Sequence, residues 1–164
     1  MTAIRTDAQP DDLRDDTADY AFDDSPARID RDAVWAFLDE QAYWGRWRGR
    51  EVVDRQLDAS WRVVGCYHRP TGAMVGFARA ISDGVSLAYL ADVFVLPQHR
   101  GHGLGTRLVQ VMIDNGPGAH FRWMLHTNDA HGLYAKAGFR APDHTYLERP
   151  GHAPPPPGFQ AHPG

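Results

Sequence analysis

The sequence predicts an α/β (α+β) domain, and three observations predict it: a strand pair closed by a proline–glycine turn, a strand that passes into a helix through a glycine-rich stretch, and a further strand–helix succession near the end. With 164 residues the chain is long enough for one domain with a real hydrophobic core and too short for two.

The first 25 residues carry Asp7, Asp11, Asp12, Asp15, Asp16, Asp19, Asp23 and Asp24 among few large apolar side chains, and they are expected to form an acidic, largely mobile arm. The single domain is expected over residues 26–149. It begins with a helix near Arg31 to Glu40, capped by Asp30, with Val34, Trp35, Phe37 and Leu38 as its apolar stripe. A second helix follows at about Arg50 to Leu57, after the aromatic and basic stretch Tyr43, Trp44, Gly45, Arg46, Trp47, Arg48. Of Tyr43, Trp44 and Trp47, two are expected to pack the helices together and one to meet a ligand. Strands are expected at Trp61 to His68 and Ala73 to Ala80, joined as an antiparallel hairpin through Arg69, Pro70, Thr71 and Gly72. A third strand, Ser86 to Val95, stops at Pro97, and a helix from about Gly103 to Asp114 buries Leu104, Leu108 and Met112. Then come a strand at Phe121 to Thr127, a helix at Asp129 to Ala137, and short strands around Phe139 and Tyr146. Residues 150–164, with Pro154 to Pro157, read as a peripheral polyproline tail.

Composition narrows the function. The hydrophobic fraction of 43% and charged fraction of 23% suit a soluble protein, and no apolar run approaches the roughly 20 residues of a membrane span. The amino-terminal residues lack the basic start and apolar core of a secretory signal, so the cytoplasm is expected. A net charge of −4 with no basic face argues against a nucleic-acid partner. Cys66, the one cysteine, lies among Val63, Val64 and Tyr67 and reads as a small buried side chain rather than a nucleophile.

The stretch from Gln98 to Thr106 carries the chemistry. Glycines at 101, 103 and 105 remove Cβ atoms where the backbone turns from strand to helix, so a large anion can approach the free amides of the first helical turn. Those amides lack intrahelical partners, and the helix dipole adds about half a positive charge there. Arg100 and Arg107 can add charge-assisted bonds. A P-loop is excluded by the absence of a Gly-Lys-Ser/Thr ending, and a dinucleotide fingerprint does not suit a turn that follows a hairpin.

Gln98-x-x-Gly101-x-Gly103, following Leu90-Ala91-Asp92-Val93-Phe94-Val95-Leu96-Pro97, resembles the acyl-CoA-binding motif of the GCN5-related N-acetyltransferases (GNAT). Ala130-His131-Gly132-Leu133-Tyr134-Ala135-Lys136-Ala137-Gly138-Phe139 resembles the family's later helix-and-strand signature, and the likeness covers roughly Trp61 to Tyr146. The resemblance implies a GNAT fold: a mixed, mostly antiparallel twisted sheet, splayed between its fourth and fifth strands, with flanking helices. It implies acetyl-CoA as acyl donor, its pantetheine arm between those strands. Backbone groups of Phe94 and Val95 would pair with the arm, and the amides of Arg100, Gly101, His102, Gly103, Leu104, Gly105 and Thr106 would hold the pyrophosphate. The asparagine common in the family seven residues before the tyrosine is Thr127 here, with Asn128 one place later as the corresponding cofactor contact.

The implied reaction is direct transfer of acetyl to a primary amine of a small molecule or peptide, which needs a base, an oxyanion stabiliser and an acid for the departing thiolate. By resemblance Tyr134 is the acid. For the base, Asp92 comes first, because a carboxylate inside an apolar strand must line a cleft or have a partner. Tyr89 and His131 are the other candidates. No histidine or cysteine spacing suits a metal; His126 and His131 are not an i,i+4 pair. A non-catalytic acyl-CoA-binding regulatory module is the alternative, and a homodimer is compatible with either.

Overall fold

The computed structural model describes residues 17–151. Four helices and five strands follow in the order β1 (Tyr20–Asp23), α1 (Arg31–Glu40), α2 (Arg50–Asp58), β2 (Arg62–His68), β3 (Met74–Ser82), β4 (Leu87–Val95), α3 (Leu104–Met112), β5 (Arg122–Met124) and α4 (His131–Lys136). The strands form one sheet in sequence order. Every neighbouring pair is antiparallel except β4 with β5, which is parallel. No helix among the described residues is long and apolar enough to cross a membrane.

Local chemistry explains why the elements start and stop. Asp30 accepts a hydrogen bond from the Ala33 amide at 3.0 Å, satisfying one of the free donors of α1. The α1 stripe buries Val34, Phe37 and Leu38, and α2 adds Val53 and Leu57. These side chains meet Val63, Tyr67, Phe77 and Phe94 on one face of the sheet, with Phe37 stacked on Phe94 at 4.0 Å. On the other face, Leu104, Leu108, Val109 and Met112 of α3 meet Val64, Cys66, Val75, Ala78, Ala80 and Leu90. Each buried large aliphatic or aromatic side chain contributes about 1.5–3 kcal/mol. Cys66 is part of this core, and burial pushes its thiol up to about 12, which leaves it unreactive. The hairpin turns as expected, with Gly72 at φ +71° and its amide donating to the His68 carbonyl.

Three expectations are corrected. The stretch assigned to a mobile arm contains β1: Tyr20 to Asp23 pair with His68 to Gly65, Tyr20 is buried, and Arg69 Nε donates to the Tyr20 carbonyl. Its last two aspartates have partners: Asp23 accepts from the Ser25 amide and Arg28, and Asp24 pairs with Arg62. Residues 1–16 and 152–164, including most of the expected arm and tail, lie outside the described residues. The strands expected around Phe139 and Tyr146 do not form. Phe139 instead packs edge-on against Tyr134, and residues 141–151 are exposed without regular structure. Finally, β5 is shorter than expected, because its pairing with β4 stops at Tyr89↔Met124.

That last point positions the site. β4 continues to Val95, so from Leu90 onward it has β3 on one side and an edge no longer paired with β5 on the other. A bulge bends it there: Phe77 faces Phe94 while Arg79 faces Ala91, setting one more residue on β4 than on β3. Leu90 and Val93, three apart, consequently both pack on the α3 side, which regular alternation forbids. Asp92 occupies the bulge with φ +50°, the one left-handed non-glycine residue among those described.

Candidate active site

The turn after β4 has the form of an anion cradle. Gly101 and Gly103 have φ +85° and +71°, and a Cβ at either would meet no atom within 4 Å, so glycine is required by the backbone angle and the space above stays open. None of the amides from Gly101 to Thr106 donates to another described residue; the first to do so is Arg107, to the Gly103 carbonyl. The residues present therefore fit a pyrophosphate: bare donors, a helix N-terminus and no side chain in the way. Gly105 has a different reason, since a Cβ there would lie 2.9 Å from Leu133 Cδ1, so its absence lets α4 close onto α3.

The turn is fixed from behind. Tyr20 Oη and His99 Nδ1 are hydrogen-bonded at 2.9 Å, and the ring of His68 lies 5.0 Å from that of His99. Burial, then the nearby His68 and His102, hold the His99 imidazole below its usual range. Arg100 is exposed and donates from Nε to the Val95 carbonyl at 3.0 Å, tying the turn to the end of β4. Asn128 is exposed, whereas Thr127 Oγ1 accepts from the Ala130 amide and supports the start of α4.

Asp92 does not suit the role of base. It is 8% exposed and lies between two guanidiniums. Arg48 donates to both of its oxygens at 2.8 Å, and Arg79 Nε donates to Oδ2 at 2.6 Å. Burial would raise its pKa, but the two arginines outweigh burial and hold the carboxyl below its usual range. A carboxylate so held has little affinity for a proton, and its charge organises the bulge instead. His131, the first residue of α4, is exposed.

Tyr89 and Tyr134 lie within electrostatic range of each other. Tyr134 is half-buried on α4, and its hydroxyl is pushed up to about 12, mainly by burial and then by the nearby Asp129, Tyr43 and Tyr89. Tyr43, from the α1–α2 connection, and Tyr89, at the last paired position of β4, thus act electrostatically on Tyr134. Burial also raises the Tyr89 hydroxyl. Its oxygen lies 2.7 Å from His126 Nδ1, and His126 Nε2 faces Glu148 Oε2 at 3.4 Å. With the imidazole proton on Nε2, Tyr89 donates to Nδ1 and the ring points its N–H at Glu148. In the sequence, His126 stands out only as a poorly spaced metal-ligand partner for His131. The signal that could have found it is strand alternation, which sets residue 126 on the same side as Met124, the partner of Tyr89. Of the aromatic trio, only Trp44 is chiefly a packing residue, against Phe37 and Tyr43; Tyr43 is 40% and Trp47 47% exposed.

The fold agrees with the comparisons to known proteins. The family model of the acetyltransferase (GNAT) domain matches residues 59–141. A protein of Gibberella zeae, named as a candidate acetyltransferase, is 33% identical in an alignment 138 positions long that covers 72% of this chain and 77% of the relative. The crystal structure of a GNAT-family protein from Xanthomonas campestris pv. campestris superposes with a TM-score of 0.73 at 34% identity, covering 79% of this chain and 92% of that one. An acetyltransferase candidate from Clostridium acetobutylicum, solved with acetyl-CoA, shares the fold at a TM-score of 0.58 and 13% identity over 80% of this chain and 96% of its own. With the splayed sheet, the bare-amide turn and both sequence motifs in place, the chain belongs to the GNAT family of acetyltransferases.

Proposed function

We propose that this protein transfers acetyl from acetyl-CoA to a primary amine of a small molecule or peptide by direct attack. The observation that carries the reading is the bare-amide turn at the end of β4, a strand whose edge is left without β5 from Leu90 onward. Acetyl-CoA supplies the activated thioester when bound. The amides of residues 101–106 would hold its pyrophosphate, Phe94 and Val95 would offer the free edge of β4 to its pantetheine amides, and Asn128, which is exposed, would be a further contact.

Around that frame the side chains divide the proton work. Tyr134, whose high pKa keeps it protonated at neutral pH, donates to the departing sulfur. Tyr89 relays the amine's proton to His126, whose side chain is 57% exposed and so can release it to solvent, with Glu148 orienting the ring. This assignment moves the base from Asp92 and His131 to the Tyr89–His126 pair.

The direct test is thiol release from acetyl-CoA with a panel of amines, amino acids, polyamines and aminoglycosides. Acceptor-dependent release is expected, and none across the panel would sink the catalytic reading. The cradle has its own check. Gly103→Ala forces a left-handed alanine into open space, costing about 1–2 kcal/mol of stability and misaligning the amides. CoA titration of the variant should show weakened binding; unchanged affinity would move the pyrophosphate elsewhere.

A further inference from the structure

The cluster at the β4 bulge is unbalanced in charge. Two guanidiniums, on Arg48 and Arg79, share the single carboxylate of Asp92, and the three residues are 4%, 6% and 8% exposed. An uncompensated buried positive charge is costly, so its retention beside a reacting centre calls for an anion that arrives with a ligand.

The two arginines are not equivalent. Arg48 is fully committed: Nη1 and Nη2 grip Asp92, Nη1 also donates to Gln56 Oε1 at 2.7 Å, and Nε is enclosed without a partner. Arg79 uses Nε alone. Its Nη groups make no hydrogen bond to any described residue and are not completely enclosed. Anchored through Nε, the guanidinium offers a rigid pair of donors, which is the geometry that grips a carboxylate with two parallel bonds.

The position of Arg79 fixes what lies in front of it. Along β3 it stands between Phe77, roofed by α1 and α2, and Ile81, which is 48% exposed and pairs with Tyr89. The roof over the sheet ends at Arg79, and the open floor beyond consists of Ile81, Tyr89 and Met124. Alternation puts all four side chains on this face. A ligand lying on that floor has Arg79 at one end and the Tyr89 hydroxyl at the other.

Building on the transferase reading, we propose that the acceptor is an amine that also carries a carboxylate, an amino-acid-like zwitterion, and that the Arg79 Nη groups hold this carboxylate while the amine lies at Tyr89. A single negative charge on the acceptor balances the one unmatched positive charge of the cluster. A dianion such as a phosphate ester overshoots it.

The test compares glycine, β-alanine, 4-aminobutyrate and larger amino acids with their amides and decarboxylated amines, in thiol-release kinetics and in calorimetric titration of the protein with CoA present. Losing a charged bidentate contact predicts that kcat/KM for each neutral analogue falls at least about tenfold below its acid. In Arg79→Lys, which keeps the charge but not the fork, the acid-to-amide ratio should collapse toward one, with a thermal melt to verify folding. Wild-type turnover with equal use of acids and amides would overturn the carboxylate site and leave the transferase standing. Binding of acids that Arg79→Lys abolishes, without turnover of any amine, would uphold the site and remove the transferase. Neither turnover nor binding would remove both.

Discussion

Asp92→Asn is expected to cost the fold about 3–5 kcal/mol, the range for removing one partner of a buried charge cluster. Asparagine tolerates the left-handed backbone of the bulge nearly as well as aspartate, so the angle of φ +50° is not what the substitution disturbs. The loss comes from Arg48 and Arg79, which are left as two like charges, each nearly enclosed, with only neutral acceptors between them. Urea unfolding reads the difference, and a loss below about 1 kcal/mol would mean that water reaches both guanidiniums. The same carboxylate gives the wild type a pH signature. Because its folded pKa is depressed, its contribution is fully present above the ordinary carboxylate value of 3.8 and is lost as pH falls through the folded pKa. Acid unfolding of the wild type should therefore steepen below about pH 4, and Asp92→Asn should lack that component.

How far the molecule could be read from its sequence follows from how local each cause is. Helix α1 was legible to its ends, because Asp30 and the Val34–Phe37–Leu38 stripe act within three turns of chain. The hairpin was legible from Pro70 to Gly72, and the left-handed turn after β4 from Gly101 and Gly103. Strand β1 was not, since its four residues owe their structure to pairing with β2 more than forty positions later, and its aspartates hide arginine partners. The oddity of Asp92 was legible, with its two possible explanations; the choice between them rested on Arg48, 44 positions earlier, and Arg79, 13 earlier. His126 escaped for the same reason, its partner Tyr89 lying 37 residues away on another strand. Phe139 and Tyr146 misled because short apolar words look like strands until an edge to pair with is required. Local chemistry sets elements and turns, while Tyr89 and His126 meet only because β4 pairs with β5.

Tyr134→Phe is expected to lower kcat and kcat/KM together by about 10²–10⁴, the range for losing a positioned acid. The substitution deletes one oxygen and leaves the ring, so the edge-on contact with Phe139 at 5.7 Å and the packing of α4 on α3 persist. CoA affinity should hold, because the amides of the turn belong to a different segment. The pH dependence distinguishes the acid from a packing residue. A hydroxyl pushed up to about 12 stays protonated across the working range, so Tyr134 does not itself shape the neutral limb of the profile. The phenylalanine variant should therefore be slow at every pH from about 6 to 9 with the shape of the curve retained, since that limb is set by proton removal through Tyr89 and His126. A parallel variant, Tyr89→Phe, cuts that route and should alter the shape. If Tyr134→Phe changes the shape while Tyr89→Phe only scales the curve, the two roles are exchanged; if both leave the rate within twofold, neither tyrosine moves the proton.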